Sequence, residues 1–273
     1  MARIDLSARY SALVDAKLQK ELVLKDGVIF NNRYEGDAKA GSVKVRKTGA
    51  STIADYDVDN GVALTKGSSE WININIDKDK AVNEIIDGFE ASAVPDGMVA
   101  DRLSTAAYGL ANQIDTDGAT CLVAQGTTLD NTNALSKTTI YDTIVDVRTT
   151  MSKNGVPNDG RRFLIVSPDV YGVLLKSDQF IHASDAGDAV VSTGAVGKIA
   201  GFLVFESANM GEGVEFVAGH PDYCTRVNEW AVEPKLVSLD GSGKFIGASA
   251  VQGRKVYAHK VTNANAIFVK TCA

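Results

Sequence analysis

Few residues in this chain have types and spacings that could do chemistry, and each such group lacks a part. His220 and Cys224 would supply half a metal site, but no further ligand stands at a matching interval. Asp55, Asp57 and Asp59 share the opening spacing of a calcium loop, yet Gly61 falls one residue late and Lys66 occupies the place of the bidentate glutamate. A solvated strand edge accounts for them more simply. Gly194 to Lys198 and Gly241 to Lys244 have the outline of phosphate loops. A working loop needs an earlier glycine and a following hydroxyl, and those places hold Ser192 and Ile199 in one, Ser238 and Phe245 in the other. His182, His220 and His259 are far apart in a chain without H-E-x-x-H or G-x-S-x-G, so zinc hydrolysis and a serine nucleophile find no local motif. Asp115 and Asp117, a near pair without a neighbouring signature, read as the wet face of a helix. The sequence thus assigns no catalytic, metal or cofactor-binding residue, and the chain does not read as an enzyme.

Charge and cysteine usage narrow the classes further. Twenty-eight Lys and Arg against thirty-four Asp and Glu leave a net charge of -6, the wrong sign for a protein that works by gripping phosphates. Cys121, Cys224 and Cys272 are odd in number and lack C-x-x-C spacing, so buried thiols are expected rather than a disulfide framework or a zinc site. The first residues lack the apolar run of a signal peptide, and no segment reaches the ~18 continuous apolar residues of a membrane span, so synthesis in the cytosol is expected.

The elements that would carry any site are organised around residues 96–124. Val99, Leu103, Ala107, Leu110 and Ile114 recur at steps of three and four, and Cys121 and Leu122 continue that side, which predicts a long helix with one core stripe. Asp101, Thr105, Tyr108, Asn112 and Asp115 then face water. Asp96 is placed as the N-cap, and Gly118 predicts either a break or the close approach of another backbone. Upstream, Leu6, Tyr10, Leu13, Val14, Leu18 and Leu22 give one face of a helix over residues 5–26 that Gly27 stops. Residues 28–40 read as an extended arm in need of a partner surface. Strand runs follow at 43–46 and 53–58, then a turn at Asp59, Asn60 and Gly61. In the next run Ile72, Ile74 and Ile76 share one face while Trp71, Asn73 and Asn75 share the other, and a return run covers 80–86. After the long helix, 125–137 is a polar loop. Thr139 caps a helix with Ile140, Ile144, Val147 and Met151 inward, residues 162–167 form a buried strand, and Ser167 and Pro168 open a short helix. A small-residue loop at 181–197 precedes strands at 199–205, 214–218, 224–237, 255–261 and 266–270. Helices and strands mix without strict alternation, which is the α+β class.

Two stretches are specific. Phe163-Leu-Ile-Val-Ser-Pro-Asp-Val-Tyr-Gly-Val-Leu-Leu175 runs a strand through Ser-Pro into a short helix, and Gly197-Lys-Ile-Ala-Gly-Phe-Leu-Val-Phe205 follows after a loose loop, ending towards Ser207. The pairing resembles the tailed-phage major capsid proteins of the Hong Kong ninety-seven type. The resemblance implies an α+β chain laid out as an N-terminal arm (1–36), an extended β-hairpin loop with its return strand (37–88), a spine helix with part of a peripheral domain (89–137), an axial domain (138–235) and C-terminal strands of the peripheral domain (236–273). It implies a coat protein whose hexamers and pentamers close an icosahedral head shell around double-stranded DNA, without sequence-specific binding, cofactor or membrane, in a virion made in the host cytoplasm. Further expected partners are a portal and, because Met1 stands directly before the arm, a separate scaffolding protein.

Within that resemblance the hairpin residues Trp71, Ile72, Ile74 and Ile76 and the arm residues Leu6 and Tyr10 are the candidates for subunit contact, since a projecting hairpin has little core of its own. Lys66, Asn263 and Asn265 are of the types that cross-link in some members, but no local motif here carries those roles over. An encapsulin-like nanocompartment shell shares the fold and is the nearest rival reading. A soluble enzyme of unrecognised type is the more remote one and would need a convergent polar site.

Overall fold

A computed structural model describes residues 19–34, 41–49, 51–89, 98–177 and 197–272. Around a long helix α1 (Met98–Gln125) lie a two-stranded ribbon, β1 (Ser42–Thr48) with β2 (Ser69–Asn75), and two sheets. The smaller sheet has the order β3 (Lys78–Asp87), β10 (Ala248–Val261), β9 (Cys224–Ser238), all antiparallel. The larger has six strands in the order β4 (Thr127–Thr128), β11 (Phe268–Thr271), β8 (Val214–Gly219), β5 (Phe163–Val166), β7 (Phe202–Glu206), β6 (Lys198–Ile199). Helices α2 (Ile140–Lys153) and α3 (Pro168–Leu175) complete it.

Helix α1 holds the two sheets together. At 1.5 Å per residue it runs roughly 42 Å and reaches both sheets. Its first half packs Val99, Leu103 and Ala106 against Val82, Ile86 and Val251 of the smaller sheet. Its second half inserts Ala119 and Leu122 among Phe163, Ile165, Val217, Ile267 and Val269 of the larger one. The expected stripe is present, with Leu110, Ile114 and Leu122 buried, except at one position, where Ala106 is buried and Ala107 exposed. The expected N-cap, Asp96, lies outside the described residues.

Strand β5 shows why the larger sheet is doubly covered. All four of its residues are buried, and the period of two sends Phe163 and Ile165 to the α1 side, Leu164 and Val166 to the α2 and α3 side. Ile140, Ile144, Val147 and Met151 of α2 meet that second face as their spacing predicts. The Ser167 hydroxyl accepts from Val170 N at 3.4 Å and starts α3 with Pro168 in its first turn. Thr139 makes no such cap, since its hydroxyl accepts from Ser136 N instead.

Several expectations are corrected. Residues 19–25 are not helical, and residues 28–34 are no outlying arm: Val23, Leu24, Ile29 and Phe30 are buried with α1 in the core. Lys20 and Asp26 hold this segment to the folded body through Tyr108 and Arg226. No strand forms over 53–58, though the turn closes at Gly61 with φ +70°. The 199–205 run is a tight hairpin, β6 to β7, turned by Ala200 and Gly201 at φ 45° and 88°. A domain boundary at 235/236 would cut β9, which pairs with β10 from Cys224 to Ser238 except for shifts at two bulges. One bulge sits where Pro234, lacking an N–H, lies against Gly253. The 181–197 loop falls largely outside the described residues.

Gly118 does not break α1. A Cβ there would stand 3.0 Å from Phe30 and 3.1 Å from Leu24, so side chains of the N-terminal segment occupy the notch, whereas a Cβ at Gly109 would meet nothing. Gly118→Val should therefore cost about 1 to 3 kcal/mol by overpacking. Gly109→Ala should gain about 0.5 to 1 kcal/mol from helix propensity. Denaturant unfolding of the unassembled subunit measures both, and equal effects of the two would show that the notch is empty.

Candidate functional site

The residues with chemical potential are spent on holding the chain together. Asp222 N donates to His220 Nδ1 at 3.2 Å, which leaves the proton on Nε2, 3.0 Å from Asp159 Oδ1. That bond, with the Arg161 N–H, holds the Asp159 carboxyl well below the usual carboxylate range. Arg161 reaches both Asp159 and Asp222, and Arg33 of the N-terminal segment also pairs with Asp222. Cys224 donates its thiol to His220 O at 3.4 Å, and burial pushes that thiol up. Half a metal site is thus a packed turn. Among the described residues no three His, Cys, Asp or Glu side chains are grouped to hold a metal.

Asp115 and Asp117 are not a wet face. Asp115 is buried, accepting Leu24 N at 2.7 Å and Asn209 Nδ2 at 3.0 Å, and Asp117 accepts the Tyr257 hydroxyl at 2.7 Å. Asp57 caps its own turn by accepting from Asp59 N and Asn60 N, and Asp55 and Asp59 stay exposed beside it. The Gly241 to Lys244 stretch is an exposed turn; Gly194 of the other glycine-lysine stretch lies outside the described residues. A cavity of about 560 Å³ opens where β5, β7 and β11 end. Its hydroxyls are committed, Ser167 to Val170 N and Ser207 to Asn209 N, and its Glu215 accepts Leu135 N and faces Lys270 Nζ at 2.9 Å.

What the fold leaves uncommitted is apolar surface. The loop joining β1 to β2 projects Ile53 (93% exposed), Tyr56, Val58 (88%) and Leu64 into solvent. A second cluster, Phe89, Leu236, Phe245 and Ile246, is exposed at the end of the smaller sheet, where Asp87 pairs with Ala248 and Ser249 with Ser238. Ordinary surfaces scatter such residues singly; here they gather at two extremities.

The ribbon residues singled out by sequence divide between two fates. Trp71 is 64% exposed on the outer face. Ile74 is covered by Val227 and Ala258 of the same subunit, with Val43, Val45 and Ile76 packed around it, so the chain itself supplies the cover expected from a neighbour. Ile72 is half-buried on that face. Leu6 and Tyr10 lie outside the described residues. Ile53, Tyr56, Val58 and Leu64 were legible only as apolar residues interleaved with Asp and turn residues, a pattern that 53–58 shares with a short strand.

With this geometry in view, comparison with known proteins is direct. A family model described as phage capsid protein matches residues 85–269. No curated protein matches the chain. Among solved structures, a chain of Mycobacterium phage Che8 is 22% identical, with 96% of each chain covered and a TM-score of 0.82. The capsid structure of cyanophage P-SCSP1u gives 14% identity, 97% of this chain and 92% of that one, and a TM-score of 0.83. The mature capsid of bacteriophage PhiM1 gives 13%, 97% and 91%, and 0.75. The fold is that of the tailed-phage major capsid proteins.

The contact between the buried Arg226 and His259 also sets a pH limit on the subunit. Arg226 Nε donates to His259 Nε2 at 2.8 Å, and burial, then the Arg226 charge, push that imidazole down to about 3. The folded subunit refuses a proton that the unfolded chain takes up near 6.5, so stability present in full above pH 6.5 is lost as pH falls towards 3. The loss from this group is at most about 1.4 kcal/mol per pH unit. His259→Gln, which still accepts from Arg226, should flatten the fall between about pH 6 and 4 in urea unfolding. An unchanged slope would assign the acid sensitivity elsewhere.

Proposed function

We propose, since this chain belongs to the phage capsid protein family and is a major capsid protein that self-assembles into the virion shell, that its subunits meet through the two apolar extremities. The observation that carries this reading is the projecting β1 to β2 loop, whose Ile53, Val58 and Leu64 are nearly bare although the rest of the ribbon is anchored on its own subunit. Covering each would contribute on the order of 1.5 to 3 kcal/mol. The loop and the end of the smaller sheet are different patches, so one copy's loop meets another surface on the next copy. Such head-to-tail contacts close into rings where the rotation permits.

In finer detail, the shell is an icosahedral tailed-phage head of hexamers and pentamers enclosing double-stranded DNA. It is built in the host cytoplasm with a portal and a separate scaffolding protein. The larger sheet with α2 and α3 acts as the axial domain and the smaller sheet with the first half of α1 as the peripheral one. The work is structural and not enzymatic. The family match over residues 85–269 gives the nanocompartment alternative no advantage.

Replacing residues 51–66 with a short Gly-Ser linker tests the reading. Loop closure depends only logarithmically on length, so the subunit should stay soluble and melt cooperatively, while closed particles should disappear from electron micrographs and sedimentation profiles. Normal shells from the shortened protein would show that the loop is no assembly contact.

A further inference from the structure

The outer face of the ribbon carries charge of one sign. Register places Lys44 opposite Asn73, Arg46 opposite Trp71, Ser42 opposite Asn75 and Thr48 opposite Ser69, so this face has two cations, an exposed indole and no carboxylate. In a chain of net charge -6 that is a local inversion. Among the described residues neither Lys44 nor Arg46 forms an ion pair, although Arg33, Arg161, Arg226 and Arg254 all do. The loop beyond the ribbon shows the complementary pattern. Asp55 and Asp59 are exposed and without ion pairs among the described residues, and Tyr56 and Val58 alternate with the acids.

We infer that the outer ribbon face, Lys44, Arg46 and Trp71, receives the acidic loop of a second copy, residues 53–59. The inference rests on the assembly reading above and names the surface that the loop meets. Two free cations beside an indole match two free carboxylates interleaved with a phenol and a valine in number, sign and apolar content. Face and loop are distinct patches, so the contact is head-to-tail, the type that builds rings. Nucleic acid is the weaker occupant, since two phosphate contacts give a salt slope of only about -1.8 and correspondingly little affinity.

Charge reversal tests the pairing in the full-length chain. Lys44→Glu with Arg46→Glu reverses the face; Asp55→Lys with Asp59→Lys reverses the loop and leaves Asp57, which holds the turn. Each reversal alone should lower the yield of closed particles at least about tenfold at low ionic strength, equivalent to ~1.4 kcal/mol. The four substitutions in one chain should restore it, because every copy then again presents opposite signs on face and loop. Melting of the unassembled variants guards against misfolding. If either melts low, the neutral pairs Lys44→Gln with Arg46→Gln and Asp55→Asn with Asp59→Asn replace them, and their yields should lose the salt dependence of the parent. Two results overturn the inference alone: parental particles with no recovery in the combined chain, or normal shells from the face variant with less nucleic acid inside. A parental chain that forms no closed particles overturns the assembly reading and this inference together.

Discussion

The polar seam along α1 is the constraint on which the rest depends. Tyr108, Asn112, Asp115 and Gly118 follow one another at three and four residues; Asn112 meets Asn209 and the other three meet the N-terminal segment. The Tyr108 hydroxyl accepts from Lys20 N and donates to Lys20 O, Asp115 accepts Leu24 N, and the Gly118 notch admits Leu24 and Phe30. A buried N–H without a partner costs a few kcal/mol, about what a buried leucine gains, so Leu24 can be buried only because Asp115 satisfies its backbone. The same carboxylate, with Asn112, takes both bonds of Asn209 Nδ2 and so fixes the turn after β7. One helix thereby carries two seams, an apolar one towards the smaller sheet and a polar one towards the N-terminal segment.

Buried cations extend this logic. Arg162 is 1% exposed without a carboxylate beside it; its guanidinium donates to Val156 O, Pro157 O and Ser152 Oγ at the end of α2, where the helix dipole is negative. Lys270 donates to Asn133 O and Thr271 O and pairs with the Glu215 carboxylate at 2.9 Å, and Glu215 also accepts Leu135 N. The polar loop between α1 and α2 is thus tied to the sheet by a charge pair as well as by Leu129 and Leu135, which pack on its core. Arg226 donates to Asp26 and to Leu24 O and lies over the Phe30 ring, which is how β9 holds residues 24–30.

These seams explain what was legible in the sequence. The long helix, the buried β5, the inward face of α2 and the Ser167 cap follow from local rules, because period and cap chemistry act within a few residues. The ribbon alternation was also readable, down to Ile74 inward and Trp71 outward. Asp115 was not, since a carboxylate that accepts a distant backbone N–H has the same spacing as one that accepts from water. The residues after Gly27 looked like a free arm because the partners of Asn31, the Thr225 hydroxyl and the Arg226 N–H, lie nearly two hundred positions away. The contact loop stayed hidden for a related reason. Its residues obey no period, and only their exposure in the folded subunit sets them apart.

The sequence of that loop shows how an assembling subunit tolerates its own interface. Bare isoleucine, valine and leucine on a free monomer invite nonspecific association. Here Tyr56 and Val58 are flanked by Asp55, Asp57 and Asp59, and no strand forms that could add to another edge. The acids repel one another's loops, so two free copies do not pair tip to tip, and burial becomes favourable only against a surface that answers the charge. Specificity comes from the carboxylates and cohesion from the apolar side chains between them. A contact divided this way is weak singly, which suits a shell that must correct errors before it closes.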